Sequence, residues 1–168
     1  MINRTLTLIL TLFCSFLTAQ NPSCNCCNEK YSEFDFWMGS WEVFKSDGTI
    51  AGENTIEKIQ EGCVLQENWI SATPGYTGTS NNFYNNETNQ WEQIWIDNQG
   101  QSLHLTGNKV GDQMILQTAK KTNTEGQTFY HRITWTDNGD GTVRQLWETI
   151  TEGKDVTVAF DGLYKPKS

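Results

Sequence analysis

Positive charge is scarce in this chain. Twelve Lys and Arg stand against twenty Asp and Glu, and the formal net charge is −8. Beyond the doublet Lys120-Lys121 there is no run of basic residues. Nucleic acid and anionic membrane surfaces both demand a basic patch, so neither is expected as a partner. Apolar runs of membrane-spanning length are also missing. The stretch Thr5 to Leu17 is interrupted by Thr and Ser and is too short for a stable transmembrane helix. No long helical periodicity follows Ser40, which excludes a bundle and the crossover helices of a parallel sheet. The catalytic signatures carried by short motifs are lacking too: there is no nucleophile elbow, H-E-x-x-H, P-loop or dinucleotide fingerprint.

What is present begins with an export signal. Residues 1–20 read as a secretory signal peptide: Arg4 supplies the positive charge, Thr5 to Leu17 the apolar region, and Thr18-Ala19-Gln20 the small residues before cleavage. Small residues do not precede Cys14, where Leu12 and Phe13 stand, so a lipoprotein signal is not expected. Cleavage leaves eleven basic against twenty acidic residues, or −9, and directs the protein to the periplasm or the exterior. Residues 21–33 then form a Cys-rich N-terminal segment, and residues 34–168 one β-domain.

Loss of the signal removes Cys14 and leaves Cys24, Cys26, Cys27 and Cys63. An even count in an exported chain reads as disulfides. Cys63 lies far from the others, so its partner is one of the Cys24–Cys27 cluster. Closing a loop of that length contributes about 4 kcal/mol in the chain-entropy model. The spacing does not follow the usual paired C-x-x-C arrangement of zinc sites, and no metal is expected.

Glu29 to Met38 reads as a short helix, with Phe34, Trp37 and Met38 on one face and Gly39 ending it. About ten short alternating segments follow, separated by Gly, Asn and Asp turns: 41–45, 49–60, 63–71, 79–84, 91–97, 101–106, 113–120, 128–136, 142–151 and 155–163. Every connection is of hairpin length. Such a meander must manage its edges, and closing into a single antiparallel up-and-down barrel removes them. A sandwich would need a long Greek-key connection.

Phe34-Asp35-Phe36-Trp37-Met38-Gly39-Ser40-Trp41 resembles the opening F-D-F-W-x-G-x-W of a family of uncharacterised bacterial lipocalin-like (calycin) proteins. Further similar pieces follow in order. They are Glu61-Gly62-Cys63-Val64-Leu65 with Glu67 and Trp69, Ser80-x-Asn82 with Tyr84, Trp91-x-Gln93-x-Trp95 with Asp97, Arg132-Ile133-Thr134-Trp135, Val143 to Glu148, and Phe160-Asp161-Gly162-x-Tyr164. The resemblance spans nearly all of the mature chain. It implies the calycin barrel and no particular activity. In calycins the Trp of Gly39-x-Trp41 closes the barrel bottom and a late-strand Arg stacks on it as a cation–π pair. Arg144, ahead of Arg132, is expected in that structural role.

Seven Trp interleaved with Gln, Asn and Glu suggest an amphipathic lumen rather than a Val/Leu/Ile-filled one. Glu67, Trp69, Asn82, Tyr84, Gln93, Trp95, Arg132 and Trp147 are its expected lining. The leading expectation is an exported barrel that binds a small hydrophobic or amphipathic molecule without covalent chemistry. The alternatives are an isomerase, cyclase or hydrolase with Glu67 or Glu148 as acid or base, and a structural or partner-binding module with a filled lumen. Asp97 and Asp161 complete the candidate acids. No cofactor is expected. Haem is the one kept in view, because nitrobindins are calycin-like barrels that bind it through one His, and His104 and His131 both lie on strands.

Overall fold

The computed structural model describes residues 24–167. The expected signal peptide lies outside them. Eleven antiparallel strands follow one another in chain order: β1 (Gly39–Lys45), β2 (Ile50–Ile59), β3 (Val64–Ser71), β4 (Thr77–Asn85), β5 (Gln90–Asp97), β6 (Ser102–Val110), β7 (Gln113–Thr118), β8 (Lys121–Thr122), β9 (Thr128–Asp137), β10 (Val143–Thr151) and β11 (Thr157–Pro166). Ten of them close a ring. β1 to β7 pair in sequence, β7 pairs with β9, β9 with β10, β10 with β11, and β11 with β1. The two-residue β8 is an extra strand on the start of β9. This is the lipocalin-like up-and-down barrel that the spacing of turns predicts, and closure leaves none of the ten with a free edge.

The period-2 alternation of each strand sorts residues inward and outward. Val43, Ile56, Leu65, Trp91, Leu105, Met114, Leu116, Ile133, Trp135, Val143 and Tyr164 point inward and form the core. The expected helix over Glu29–Met38 is present as two 3₁₀ segments, Glu29–Ser32 and Asp35–Trp37, the first capped by Asn28 Oδ1 accepting from Lys30 N at 3.0 Å. Phe34 and Trp37 from this stretch are fully buried and close one end of the barrel. Their rings stack at 5.1 Å, and Phe34 meets Trp135 at 5.2 Å and Trp91 at 5.7 Å edge-on. Trp41 Nε1 donates to the Trp37 carbonyl at 2.9 Å.

The segment is also tied from outside. Cys26 bonds to Cys63 beside the β2–β3 turn, and Cys24 bonds to Cys27. Lys58 pairs with Asp35 at 2.7 Å, Trp91 Nε1 donates to Glu33 at 3.2 Å, and Asn86 Nδ2 donates to the Tyr31 hydroxyl at 2.6 Å. No helix among the described residues is long and apolar enough to cross a membrane.

Candidate functional site: an aromatic lumen over a buried carboxyl

The opposite end of the barrel is not filled. A cavity of about 440 Å³ opens there between the inner faces of the strands, a size typical of small-molecule sites. Its rim holds exposed Lys45, Ala72 and Thr73 with half-buried Ser71 and Tyr76. Its walls are mainly aromatic, carrying Trp69, Trp95, Trp147 and Phe160.

Three of these rings lie against the wall because a neighbouring residue is glycine. A Cβ on Gly78 would stand 2.1 Å from the Trp95 ring, one on Gly52 would stand 2.7 Å from Trp69, and one on Gly162 would stand 2.5 Å from Phe160. Strand glycines usually mark such close approach. Here they let large rings lie along the wall instead of crossing the lumen. The opening therefore survives in a barrel lined by tryptophan.

The floor is a buried polar network. Glu67 of β3, 4 % exposed, lines the cavity and accepts from Asn54 Nδ2 at 2.7 Å and from Ser80 Oγ at 2.6 Å. Asn54 Nδ2 also reaches the Tyr164 hydroxyl at 3.3 Å, and that hydroxyl donates to Gln145 Oε1. Ser80 Oγ accepts from Asn82 Nδ2 at 2.9 Å and Gln93 Nε2 at 3.3 Å. Glu67 takes part in no ion pair among the described residues. Burial lifts its carboxyl to about 7, against the opposing effect of the two hydrogen bonds. Burial, with the nearby Glu67 charge, also raises the Tyr164 phenol well above its ordinary value.

Of the expected lining, Glu67, Trp69, Gln93, Trp95 and Trp147 surround this cavity. Asn82 faces inward but lies beneath it, bound to Ser80 and to the Leu65 carbonyl at 3.1 Å. Tyr84 sits further down, against Tyr31 at 5.8 Å and Trp91 at 6.3 Å, as part of the closed end. Arg132 is a correction. It alternates with inward-facing Ile133, so it lies on the outer wall and holds Glu148 through two hydrogen bonds of 3.1 and 2.9 Å.

The Arg144–Trp41 stack is a second correction. Arg144 lies between inward-facing Val143 and Gln145, so it points outward and pairs with Asp161 at 2.8 Å through both Nε and Nη2. Trp41 points inward and packs edge-on against Tyr164 at 6.1 Å. Among the described residues the cation–π contacts are Lys109 over Phe36 and Lys165 over Phe44. In the acid set, Glu148 and Asp161 are on the outer wall. Asp97 caps the β5–β6 turn, accepting from Gln99 N and Gln101 N at 2.9 Å each, and receives the Tyr76 hydroxyl at 3.3 Å. Glu67 is the only carboxyl among the lining residues.

The histidines are separated. His104 faces outward and meets Glu92 at 2.8 Å, while His131 stacks edge-on against Trp147 at 5.5 Å and is held below its ordinary pKa by burial, with Lys121 adding to the effect.

Sequence reasoning missed Asn54, Tyr164, Gln145 and Phe160. Gln145 does share a face with Trp147, and Phe160, Gly162 and Tyr164 alternate, so periodicity carried that signal. Asn54 carried none, since a polar residue in a strand usually faces water. No protein-family model matches the chain, and no curated protein matches it.

Proposed function

We propose that this protein binds a small hydrophobic or amphipathic molecule in the lumen of its barrel, and that it belongs with the lipocalin-like family that its sequence resembles. The observation carrying this reading is the open cavity itself, with four aromatic rings on its walls and a buried polar floor. Such apolar walls with a few convergent polar groups are the usual make-up of a ligand pocket. A purely structural lumen would be filled, as the closed end of this barrel is.

Export completes the proposal. The signal-like residues 1–20 support it, as do two disulfides, which persist in oxidising compartments.

Native mass spectrometry of the mature protein purified from its own host, paired with a denaturing run, tests the reading. The expected result is an added mass that disappears on denaturation. A bare mass together with failure of amphiphiles of matching size to bind would overturn it.

The same Glu67 carboxyl favours one second reading, an isomerase, cyclase or hydrolase in which Glu67 moves a proton. A buried carboxyl that titrates near neutrality inside a cavity is the group such chemistry needs. Turnover of a bound molecule that stops in Glu67→Gln while binding persists would select it.

A further inference from the structure

We infer that the ligand of this lumen carries a protonated amine, seated against Glu67, with an apolar body lying between Trp69, Trp95, Trp147 and Phe160. The inference rests on the lumen-binding reading and names the chemistry that the site selects.

The floor is short of hydrogen-bond donors. Asn54 Nδ2, Ser80 Oγ, Gln93 Nε2 and the Tyr164 hydroxyl all donate within the network. Apart from the amide nitrogens of Gln93 and Gln145, the capacity left around Glu67 is acceptor. Each Glu67 oxygen receives one donor and has capacity for another. Asn54 Oδ1 and Asn82 Oδ1 in the same network are buried without a partner. A buried acceptor left unmade is costly, and a buried carboxylate without a cation more so. Two species relieve this floor: a proton on Glu67, or an ammonium group with its several N–H donors.

The surroundings select a cation in the same way. Lys45 is the only basic residue of the lining, and it sits exposed at the rim. Beside its two donors, Asn54 and Ser80, Glu67 lies near Tyr164 of β11, and the amides of Gln93 and Gln145 line the same cavity. Tyr76 and Asp97 stand nearer the mouth. Aromatic faces attract ammonium groups, most strongly where water is excluded. The net charge of −8 adds a long-range pull on cations. An anionic ligand would meet the opposite at these points, with only Lys45 at the rim and the neutral N–H donors of Trp147 and Gln145 in its favour. Trp147 Nε1, buried without a partner, is available to an acceptor on the ligand body.

Three probes of one shape separate the possibilities: 2-naphthylmethylamine, 2-naphthylmethanol and 2-naphthoate, titrated calorimetrically into the mature protein at about pH 8. The amine is expected to bind at least about tenfold more tightly than the alcohol, and the carboxylate most weakly. In Glu67→Gln the amine should lose its advantage and fall to the level of the alcohol measured in the same variant. Near pH 7, titrations in buffers of different ionisation enthalpy should show protons released as the amine replaces the proton on Glu67.

An amine no tighter than the alcohol, or a carboxylate that binds best, overturns the cation inference and leaves the lumen reading standing. An amine preference that persists in Glu67→Gln overturns it too and moves the contact to Asp97 at the mouth. Silence from all three probes overturns both readings. If the variant fails to fold, the ranking in the unaltered protein together with proton release near pH 7 decides the matter.

Discussion

The two ends of this barrel are built from the same kinds of residue to opposite effect. At the closed end, Phe34, Trp37, Trp91 and Trp135 are packed ring on ring, and a disulfide and an ion pair pin the plug from outside. At the open end, Gly52, Gly78 and Gly162 let Trp69, Trp95 and Phe160 lie back against the wall, Trp69 meeting Phe160 only edge-on at 6.3 Å, and the rings surround a space. Aromatic content alone does not make a pocket. What matters is whether a neighbouring residue gives each ring a wall to lie on, or another ring fills the gap.

The largest effect should come from breaking the plug. Trp37→Ala removes a fully buried indole and is expected to cost about 3–5 kcal/mol in urea unfolding. Replacing Cys26 and Cys63 by Ser together should approach it, at about 4 kcal/mol in the chain-entropy model. A closed end that tolerated either change would show that the barrel does not depend on its plug.

The floor of the open end should reveal itself through pH. The folded pKa of Glu67, about 7, lies above its ordinary 4.5, so the folded state keeps a proton that the unfolded chain has released. The associated stability is fully present below about pH 4.5 and is lost as pH rises through about 7. At 1.36 kcal/mol per unit the loss amounts to at most about 3 kcal/mol. His131, with its pKa lowered by burial, acts in the opposite sense over part of this window. The measurement is therefore the difference between the unaltered protein and Glu67→Gln, whose unfolding midpoint should fall less between about pH 5 and pH 8. Parallel curves for the two proteins would contradict the buried titration.

Gly78→Ala should sharpen the contrast. The new methyl cannot share space with the Trp95 ring, which must swing into the lumen. The expected cost is about 1–3 kcal/mol of stability, together with loss of amphiphile binding by calorimetry. The smallest effect belongs to the outer wall. Arg144→Ala breaks a pair whose Arg is half exposed, and should change stability by less than about 1 kcal/mol and binding not at all.

The barrel itself was legible because a local signal specified it. Alternating residues and turn signals at regular spacing mark strands one by one, and hairpin-length connections leave few topologies. Alternation also placed Gln145 with Trp147 and set Arg144 on the other face, which already told against the Arg144–Trp41 stack expected from the family resemblance. Arg132 fails for the same reason, being one residue out of phase with Ile133 and Trp135. Tyr84 and Asn82 have the right phase but the wrong depth, and depth along a strand depends on how ten strands are staggered around the ring.

The sequence by itself determined the all-β class, the strand order, which residues share a strand face, and that Cys63 must reach back to the N-terminal cluster, because each follows from period, turn chemistry or chain distance. Only the tertiary structure decided which end is plugged, that Cys26 is the cysteine bonded to Cys63, and that Asn54, Glu67, Ser80, Gln145 and Tyr164 meet on one floor. Those residues come from five different strands. Their meeting depends on ring closure and register, which are set by the packing of the whole barrel and by no segment of it alone.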